Sequence, residues 1–503
     1  MKKQIALVLA LLMTCGVVSS CSSNSKANTS KKNTALETVK YVVPGDTPTD
    51  LAAVTKLIND KMAADGVHVA VQFQYYPWDS FDQKLNLMLS TGEEFDLFQI
   101  MNDRTSLSNY ASRGALSDIT SDISQYGSNI KAINPNIMMK SGQVGGKQYA
   151  IPADWFESSI TSQTFIRTDI LHKYGITDLP TNFQQLTDDY VTVMKKWTGP
   201  QKPYYPILGQ SAFSFSINEK TYSEWPFTVI DKMFMVTQDG TISDYFESNA
   251  FKQDCANARL WYKDGIISSD AITVTNDQLT NQLNSGDWLT GGGGNNIATM
   301  LKNYPDLKTT DFAYVDFASD KPNVRPYGTR NMNAVPAASK HPDAAVKMVN
   351  WVYANQANYD LFMYGRKGVD YTPSIDSTGR QVRTSIIDPA KKTPLYSFQD
   401  WMMGNMKFER PEIGVPDTYN KEIYNFDKTA VNSPVAEFTF DATPVQTKYT
   451  DVQTTLTAVI PQMATGSVDY ATAYPAALKK LKAAGIDDVI NEYKAQYEKS
   501  KGK

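Results

Sequence analysis

An alternation of strands and helices in the early part of the chain constrains its fold most strongly. Apolar residues at 40–43, at alternate positions of 67–73 and at 96–101 predict three strands. Between them lie two amphipathic helices, one capped by Asp50 and one beginning at Ser80. This order predicts an α/β fold with a parallel sheet.

Ligands of such sheets gather beyond the carboxyl ends of the strands, where loops leave backbone groups free. Three loops take that position in the predicted sheet: Pro44-Gly45-Asp46, residues 75–78, and Asn102-Asp103. We therefore expect binding groups in these loops.

Later segments predict a second α/β section and a helical end. A hairpin is predicted from 233–236 and 241–243, around Gln238-Asp239-Gly240. Further helices are predicted to be capped by Thr181, to span 247–264, and to begin near Ile297, at Pro342, at Thr443-Pro444 and near Ile486.

The N-terminus has the organisation of an export signal. Met1-Lys2-Lys3 precedes an apolar run from Ile5 to Val18, which is too short to span a bilayer, and Val18-Ser19-Ser20-Cys21 has the pattern of a bacterial lipobox. Cys21 is thus the expected site of lipidation, with palmitate among the acyl groups, and the polar residues 22–32 form a tether. The alternative is an ordinary secretory signal with an incidental cysteine. We expect a protein anchored by lipid at the outer face of the cytoplasmic membrane.

Charge and motif content exclude several classes. The formal net charge is −4, and Lys and Arg form no cluster of the kind that nucleic acid requires. Besides Cys15 and Cys21 the chain has one cysteine, Cys255, so no disulfide framework is expected, and its helical spacing predicts a packing role. The three histidines, His68, His172 and His341, are dispersed, and neither HExxH nor GxSxG occurs. No cofactor is expected.

Four consecutive glycines, Gly291 to Gly294, precede a predicted helix. A phosphate loop would need Gly-Lys-Ser/Thr at the helix start, and that is absent. We interpret the stretch first as a flexible loop or hinge, second as a loop that binds a neutral ligand and third as a nucleotide site.

Aromatic residues offer the clearest chemistry, because the chain has 8 Trp, 28 Tyr and 21 Phe. Indole and phenol rings stack on the apolar faces of sugars, whose hydroxyls pair with polar side chains. The candidate aromatic residues are Trp155, Trp78, Trp225 and Trp288, each with burial in the core as its alternative. The candidate polar partners are Asp46, Asn102, Asp103, Asp154, Asn295 and Arg330.

Several phrases, in this order and spacing, resemble the extracellular solute-binding lipoproteins of ABC importers, in the large lipoprotein branch of the maltose-binding-like, sugar-binding superfamily. They span nearly the whole mature chain: Trp78 to Asp96, GALSDIT at 114–120, GGKQYAIPAD at 145–154, FIRTDILHKYGI at 165–176, LNSGDWLTGGGG at 283–294 and AVPAASKHPDAAVKMVNWVY at 334–353. The tail, with Asn432-Ser433-Pro434, FTFDATPV at 438–445 and TGSVD at 465–469, resembles the C-terminal domain of that branch.

The resemblance implies a two-lobed periplasmic-binding-protein-like fold with a cleft and hinge, plus a helical C-terminal region. The expected divisions are a signal peptide at 1–20, a lipidated cysteine and tether at 21–36, lobe 1 at 37–152, lobe 2 at 153–329, a return to lobe 1 at 330–395 and a mainly helical C-terminal domain at 396–503 that packs on the lobes. It further implies a monomer that captures a carbohydrate, in oligosaccharide form, and delivers it to the permease subunits of an ABC transporter.

Two alternatives stay open. A receptor of the same fold could bind a peptide or another small molecule, with Arg330 and Asp103 pairing with the peptide's charged ends. A secreted glycoside hydrolase could work with paired carboxylates and no histidine. The absence of a catalytic motif favours a binding protein over an enzyme.

Overall fold

The computed structural model describes residues 36–156, 162–415 and 429–502. The predicted signal, lipobox and tether therefore lie outside the described residues. The strands are β1 Glu37–Pro44, β2 Val69–Tyr76, β3 Leu97–Met101, β4 Gln143–Val144, β5 Lys147–Gln148, β6 Ala150–Pro152, β7 Gln163–Arg167, β8 Phe227–Ile230, β9 Phe234–Thr237, β10 Ile242–Asp244, β11 Phe312–Asp316, β12 Val324–Arg325, β13 Asn331–Ala334, β14 Tyr371–Ile375, β15 Gln381–Ser385 and β16 Val431–Asn432.

Helices surround these strands. They are α1 Leu51–Ala64, α2 Trp78–Thr91, α3 Leu107–Ser112, α4 Thr120–Tyr126, α5 Ser128–Ile133, α6 Asn136–Ser141, α7 Thr168–Lys173, α8 Phe183–Lys196, α9 Asn249–Lys263, α10 Asn276–Ser285, α11 Gly294–Asn303, α12 Pro342–Val352, α13 Gln356–Tyr364, α14 Gln446–Val459, α15 Pro461–Ala464, α16 Tyr470–Ala484 and α17 Ile486–Lys501. Short 3-10 turns include Ser216–Thr221 and Thr443–Val445.

A five-stranded sheet with the order β2-β1-β3-β13-β6 forms the centre of the first lobe. Its strands β1, β2 and β3 are parallel, as the alternation of strands and helices predicts. The sheet is not parallel throughout, however, because β13 enters antiparallel to both of its neighbours. The sequence of β13 gives little sign of a buried strand, because the polar residues Asn331 and Asn333 occupy buried positions. The buried Asn333 amide is satisfied in part by Tyr41, which donates its hydroxyl hydrogen to Asn333 Oδ1.

Two predicted helix starts are wrong in detail. Asp50 precedes α1 but makes no side-chain capping bond, because its carboxylate pairs with Arg366 instead. The N-cap of α8 is Asn182 rather than Thr181, and its Oδ1 accepts from the Gln185 amide at 3.0 Å. A long-range ion pair explains the difference at Asp50, and competition between two adjacent capping residues explains the difference at Asn182.

The first lobe, called lobe 1 here, consists of this sheet with α1–α6, α12 and α13. Opposite faces of β1 pack into separate apolar clusters, with Val39, Tyr41 and Val43 on one face and Val42 on the other. Tyr396, Phe398, Met402 and Met403 join the first of these clusters. The first residues of the segment 396–503 therefore belong to the core of lobe 1.

The second lobe, called lobe 2, consists of β7–β11, α7–α11 and the C-terminal helices. β7 and β11 form an antiparallel pair, and β8, β9 and β10 form a three-stranded antiparallel sheet that includes the predicted hairpin. Helices α14, α16 and α17 share one apolar cluster with this sheet, in which Phe234 stacks on Tyr493 with ring centroids 4.1 Å apart. The C-terminal helices are thus part of the structure of lobe 2.

Cys255 lies in that same cluster with 1% of its surface exposed, and burial raises the pKa of its thiol. This agrees with the predicted packing role. Within the described ranges, no helix is long and apolar enough to cross a membrane.

Candidate ligand-binding cleft

Two connected cavities lie in a cleft between lobe 1 and lobe 2. The first compartment has a volume of about 460 Å³ and the second about 660 Å³. Both volumes are within the range of about 300–1,000 Å³ that is usual for small-molecule sites. Four residues line both compartments and so mark their junction: Asn102, Asp103, Phe213 and Lys232.

Aromatic side chains form much of the first compartment. They are Phe156, Phe165, Tyr205, Phe213, Trp225, Phe227, Tyr314 and Tyr327. Trp225 is 8% exposed, and its indole nitrogen donates to the Pro322 carbonyl at 2.9 Å, which fixes the ring against Phe227. A wall of this kind offers flat apolar surfaces to a ligand.

The loop after β3 supplies polar groups to the junction. The Asn102 side chain is engaged on both sides, since its Oδ1 accepts from the Leu107 amide at 2.9 Å and its Nδ2 donates to the Thr329 carbonyl at 3.3 Å. Asp103 follows with an exposed carboxylate, 3.5 Å from Arg330 Nη1. The loop is therefore held in place at Asn102, and the Asp103–Arg330 pair faces the first compartment.

Lys232 reaches the junction from the turn between β8 and β9. Both central residues of this turn are left-handed, with φ of 50° at Asp231 and 63° at Lys232. The Lys232 ammonium donates to the Arg104 carbonyl of lobe 1 at 3.1 Å, and desolvation lowers its pKa. A half-buried cation thus links the two lobes at the junction.

A buried acidic pair lies behind the wall of the first compartment. Glu219 lines the compartment with 6% of its surface exposed, and burial raises the pKa of its carboxyl to about 7. Asp254 is fully buried behind it, and burial together with the Glu219 charge raises its pKa as well. Tyr222 and Tyr245 donate to the two Asp254 oxygens at 2.6 and 2.8 Å. This arrangement favours a proton shared within the pair.

The glycine-rich loop lines the first compartment with the backbone of Gly291, Gly292 and Gly293. Gly291 has a φ of 114°, and a Cβ on Gly292 would lie 2.2 Å from the Trp288 ring. Glycine is needed here because the backbone crosses directly over that ring. The loop therefore belongs to the wall of the cleft. That it binds a neutral ligand stays a prediction.

The candidate residues fall into three groups. Those that line the compartments are Trp225 and Arg330 in the first, Trp78 in the second, and Asn102 and Asp103 in both. Trp288 is fully buried beneath the glycine loop, with its indole nitrogen donating to the Leu283 carbonyl at 3.0 Å, as its alternative interpretation as core predicts.

The other four candidates lie beside the compartments rather than in their lining. The Trp155 ring is tilted by 39° against the Phe156 ring, with centroids 5.2 Å apart, and Asp154 Oδ2 accepts from the Met406 amide at 3.1 Å. Asp46 is exposed after β1, and Asn295 is exposed in the first turn of α11. Contact of these four residues with a ligand stays a prediction.

Several lining residues were not singled out from the sequence. Phe213, Ser214 and Ser216 lie in an irregular segment where aromatic residues alternate with serine, a composition that could have drawn attention to them. Glu219 and Lys232 carry no such local signal, because their positions depend on packing between distant segments. In the ranges 36–156, 162–415 and 429–502, no group of three or more His, Cys, Asp or Glu side chains could hold a metal ion.

Comparisons with known proteins agree with this architecture. Residues 45–359 match a family described as bacterial extracellular solute-binding protein, and residues 434–501 match a domain of unknown function, DUF3502. A carbohydrate ABC transporter substrate-binding protein of Streptococcus pneumoniae serotype 4 is 24% identical over 476 residues, which cover 92% of this chain and 90% of the relative. The diacetylchitobiose binding protein DasA of Streptomyces coelicolor is 29% identical over 177 residues, covering 35% of this chain and 37% of the relative.

Among solved structures, the N-glycan transport solute binding protein NgtS of Streptococcus pneumoniae, in complex with Man1GlcNAc, is similar with a TM-score of 0.72. It is 19% identical, and the alignment covers 92% of this chain and 99% of that protein. This similarity confirms the predicted two-lobed periplasmic-binding-protein-like fold. The family match covers more than half of the chain and is one of binding proteins rather than enzymes. This chain therefore belongs to the family of bacterial extracellular solute-binding proteins.

Proposed function

We propose that this protein captures a carbohydrate, in oligosaccharide form, in the cleft between its lobes and delivers it to the permease of an ABC importer. The aromatic wall of the first compartment carries this proposal. Rings such as Trp225 and Tyr314 can stack on the apolar faces of a sugar, while Gln163, Thr164 and Ser214 can exchange hydrogen bonds with its hydroxyls.

The charges of the first compartment support a neutral ligand. Asp103 and Glu219 are balanced by Lys232 and Arg330 in its lining. Asp103 already pairs with Arg330, and Glu219 is turned toward Asp254. A peptide with charged termini would have to displace these partners, whereas a sugar would not.

The ligands for which similar proteins are named support the same ligand class. The relatives and the solved structure are named for a carbohydrate, for diacetylchitobiose and for an N-glycan. We further propose that the protein works as a monomer, anchored by lipid through Cys21 at the outer face of the membrane. Metabolic labelling with palmitate tests the anchor, because Cys21→Ser would then abolish the label.

Calorimetric titration of the purified protein against an oligosaccharide panel and a peptide panel tests the ligand class, with hydrolysis products assayed in parallel. We expect binding to at least one oligosaccharide, no binding to peptides and no released fragments. Binding to peptides and to no oligosaccharide would show that the ligand is a peptide rather than a carbohydrate. Release of monosaccharides would show that the protein is an enzyme.

A pair of matched variants tests the location of the site. Tyr314→Ala removes a ring from the first compartment, and we expect roughly tenfold weaker binding, the equivalent of about 1.4 kcal/mol. Tyr304→Ala is the control, because Tyr304 is 42% exposed and lies outside the lining of both compartments. Equal affinities of the two variants would place the site elsewhere.

A further inference from the structure

The second compartment is bounded on one side by helix α14, which belongs to the segment that matches the domain of unknown function. We infer that this C-terminal domain is part of the ligand-binding site, and that the second compartment binds the distal units of a neutral oligosaccharide whose first units fill the first compartment. The inference rests on the proposed function and extends it to a residue-level site.

Helix α14 is built with two different faces. Tyr449, Val452 and Leu456 are buried in the apolar cluster of lobe 2. Thr450, Gln453, Thr454 and Thr457 lie at helical spacing on another face and line the second compartment. The helix therefore uses one face to join lobe 2 and presents a row of polar side chains to the cavity.

The hydroxyls of this row suit a ligand that donates hydrogen bonds. Thr454 Oγ1 donates to the Thr450 carbonyl at 3.0 Å, and Thr457 Oγ1 donates to the Thr454 carbonyl at 2.8 Å. The hydroxyl hydrogens of Thr454 and Thr457 are thus used within the helix, and the lone pairs of these two oxygens can accept from a ligand. Sugar hydroxyls are donors of this type.

The opposite wall comes from lobe 1 and combines an aromatic ring with amide groups. Trp78 is half-buried, 6.0 Å from the Trp401 ring, and the Arg104 guanidinium lies 5.3 Å from its ring centre. Asn86 and Asn109 line the same wall and can donate as well as accept. One wall thus supplies apolar ring surface, and the other supplies acceptors.

The compartment has balanced charges. Arg104, Arg113 and Lys232 are offset by Asp82, Asp103 and Asp231 in its lining. Arg104 pairs with Asp82 at 2.6 Å, and the buried Asp231 carboxylate accepts from Tyr449 at 2.6 Å. A phosphate or a free carboxylate would find no unopposed cluster of cations here, so the chemistry favours a neutral ligand.

The second compartment is continuous with the first, so that the two form a single path for a ligand. Phe213 and Lys232 line both, so a ligand that extends past these side chains would occupy both compartments. A short sugar would occupy only the first compartment. The inference therefore predicts that affinity depends on ligand length, and that α14 determines this dependence.

The experiment compares ladders of chito-, malto- and fructo-oligosaccharides of two to six units, together with Man1GlcNAc, by calorimetry. For the wild type we expect affinity to increase about tenfold along the ladder that it binds. Thr454→Trp fills the second compartment, and we expect it to abolish this increase while two-unit ligands bind within about threefold of the wild type. Thr447→Trp is the matched control, because Thr447 is exposed on the same helix outside the lining.

The outcomes separate this inference from the proposed function. The role of the second compartment in binding would be overturned if wild-type affinity did not change with ligand length. The same conclusion would follow if Thr454→Trp kept the full increase in affinity or weakened binding of all lengths equally. Neither result would contradict sugar binding itself. Absence of binding to every sugar would overturn both. Thermal unfolding checks that each variant is folded, and Thr450→Tyr, on the same face of α14, repeats the test if Thr454→Trp does not fold.

Discussion

Glu219 illustrates at the scale of single residues how burial sets the properties of the cleft. Its carboxyl lies against the buried Asp254, with the Tyr245 hydroxyl 3.5 Å away, and its pKa is raised from 4.5 to about 7. Because the folded state holds this proton more tightly than the unfolded state, the free energy of unfolding decreases as pH rises from about 4.5 through 7.

Glu219→Gln removes this ionisation. We expect the variant to lose less stability than the wild type between pH 5 and pH 8, and to be more stable at pH 8 by about 2 kcal/mol. Urea unfolding at several pH values measures the difference. Glu93→Gln, at an exposed glutamate, is the control. Parallel pH profiles for the wild type and Glu219→Gln would contradict the prediction.

Some of the candidate site residues, those in loops at the ends of strands, could be placed at the cleft from the sequence. Trp78, Asn102 and Asp103 follow parallel strands, and the carboxyl ends of such strands meet at one edge of the sheet. Trp288 could not be placed in this way, because whether an indole faces the cleft or lies beneath a glycine loop depends on how that loop folds over it. Glu219 and Lys232 likewise depend on packing between distant segments.

At the scale of elements, helix α14 supports a strained turn. The turn residues Asp231 and Lys232 have left-handed backbones, which cost about 1–3 kcal/mol each for residues other than glycine. Tyr449 donates to the Asp231 carboxylate at 2.6 Å, and Gln453 donates to the Asp231 carbonyl at 3.1 Å. These two bonds hold Lys232 at the junction of the compartments.

Tyr449→Phe removes one of the two bonds and leaves the buried Asp231 carboxylate without that donor. We expect it to lower the free energy of unfolding by about 1–3 kcal/mol. A cycle with Asp231→Asn should then show a coupling energy of about 1 kcal/mol or more between the two positions. Chemical denaturation provides both values.

Tyr304→Phe, at an exposed tyrosine, is the control for loss of a hydroxyl. If the effects of Tyr449→Phe and Asp231→Asn simply add, then α14 does not support the turn through this bond.

The sequence predicted most elements but not all of their relations. Periodic helices and the hairpin β9–β10 are confirmed because their signals are local. The antiparallel entry of β13 was missed because a four-residue strand with two asparagines has no clear pattern of its own. The sequence predicted that the C-terminal helices pack on the lobes, but it could not indicate that α14–α17 join the core of lobe 2 in particular, since an amphipathic helix shows that it docks but not where.

At the scale of the whole molecule, the lobes also touch at the N-termini of two helices. Asp79, in the first turn of α2 in lobe 1, accepts from both the backbone amide and the side chain of Asn276 at the start of α10 in lobe 2, each at 2.9 Å. A carboxylate suits this position because a helix N-terminus carries partial positive charge. The contact joins the lobes at a point outside both compartments.

Asp79→Ala removes this contact. Because the groups are exposed, we expect a modest effect, with binding of the preferred sugar weakened roughly two- to fivefold as the ligand-free protein spends more time open. Small-angle X-ray scattering should show a larger radius of gyration for the ligand-free variant and the same value as the wild type when saturated.

Ser80→Ala is the neighbouring control, since the Ser80 hydroxyl bonds only within its own turn, to the Pro77 carbonyl at 3.2 Å. An unchanged radius for ligand-free Asp79→Ala would show that this contact does not influence closure.

The position of β13 also has a consequence for biogenesis. β3 and β6 are made early, but the strand that lies between them comes from residues 331–334, after most of lobe 2. Until that segment arrives, β3 lacks a partner on one side and β6 lacks its neighbour in the sheet, and unpaired strand edges are sites of misassociation. The nascent chain thus passes through a stage in which lobe 1 is open at its centre, and folding is completed only once most of the polypeptide is available.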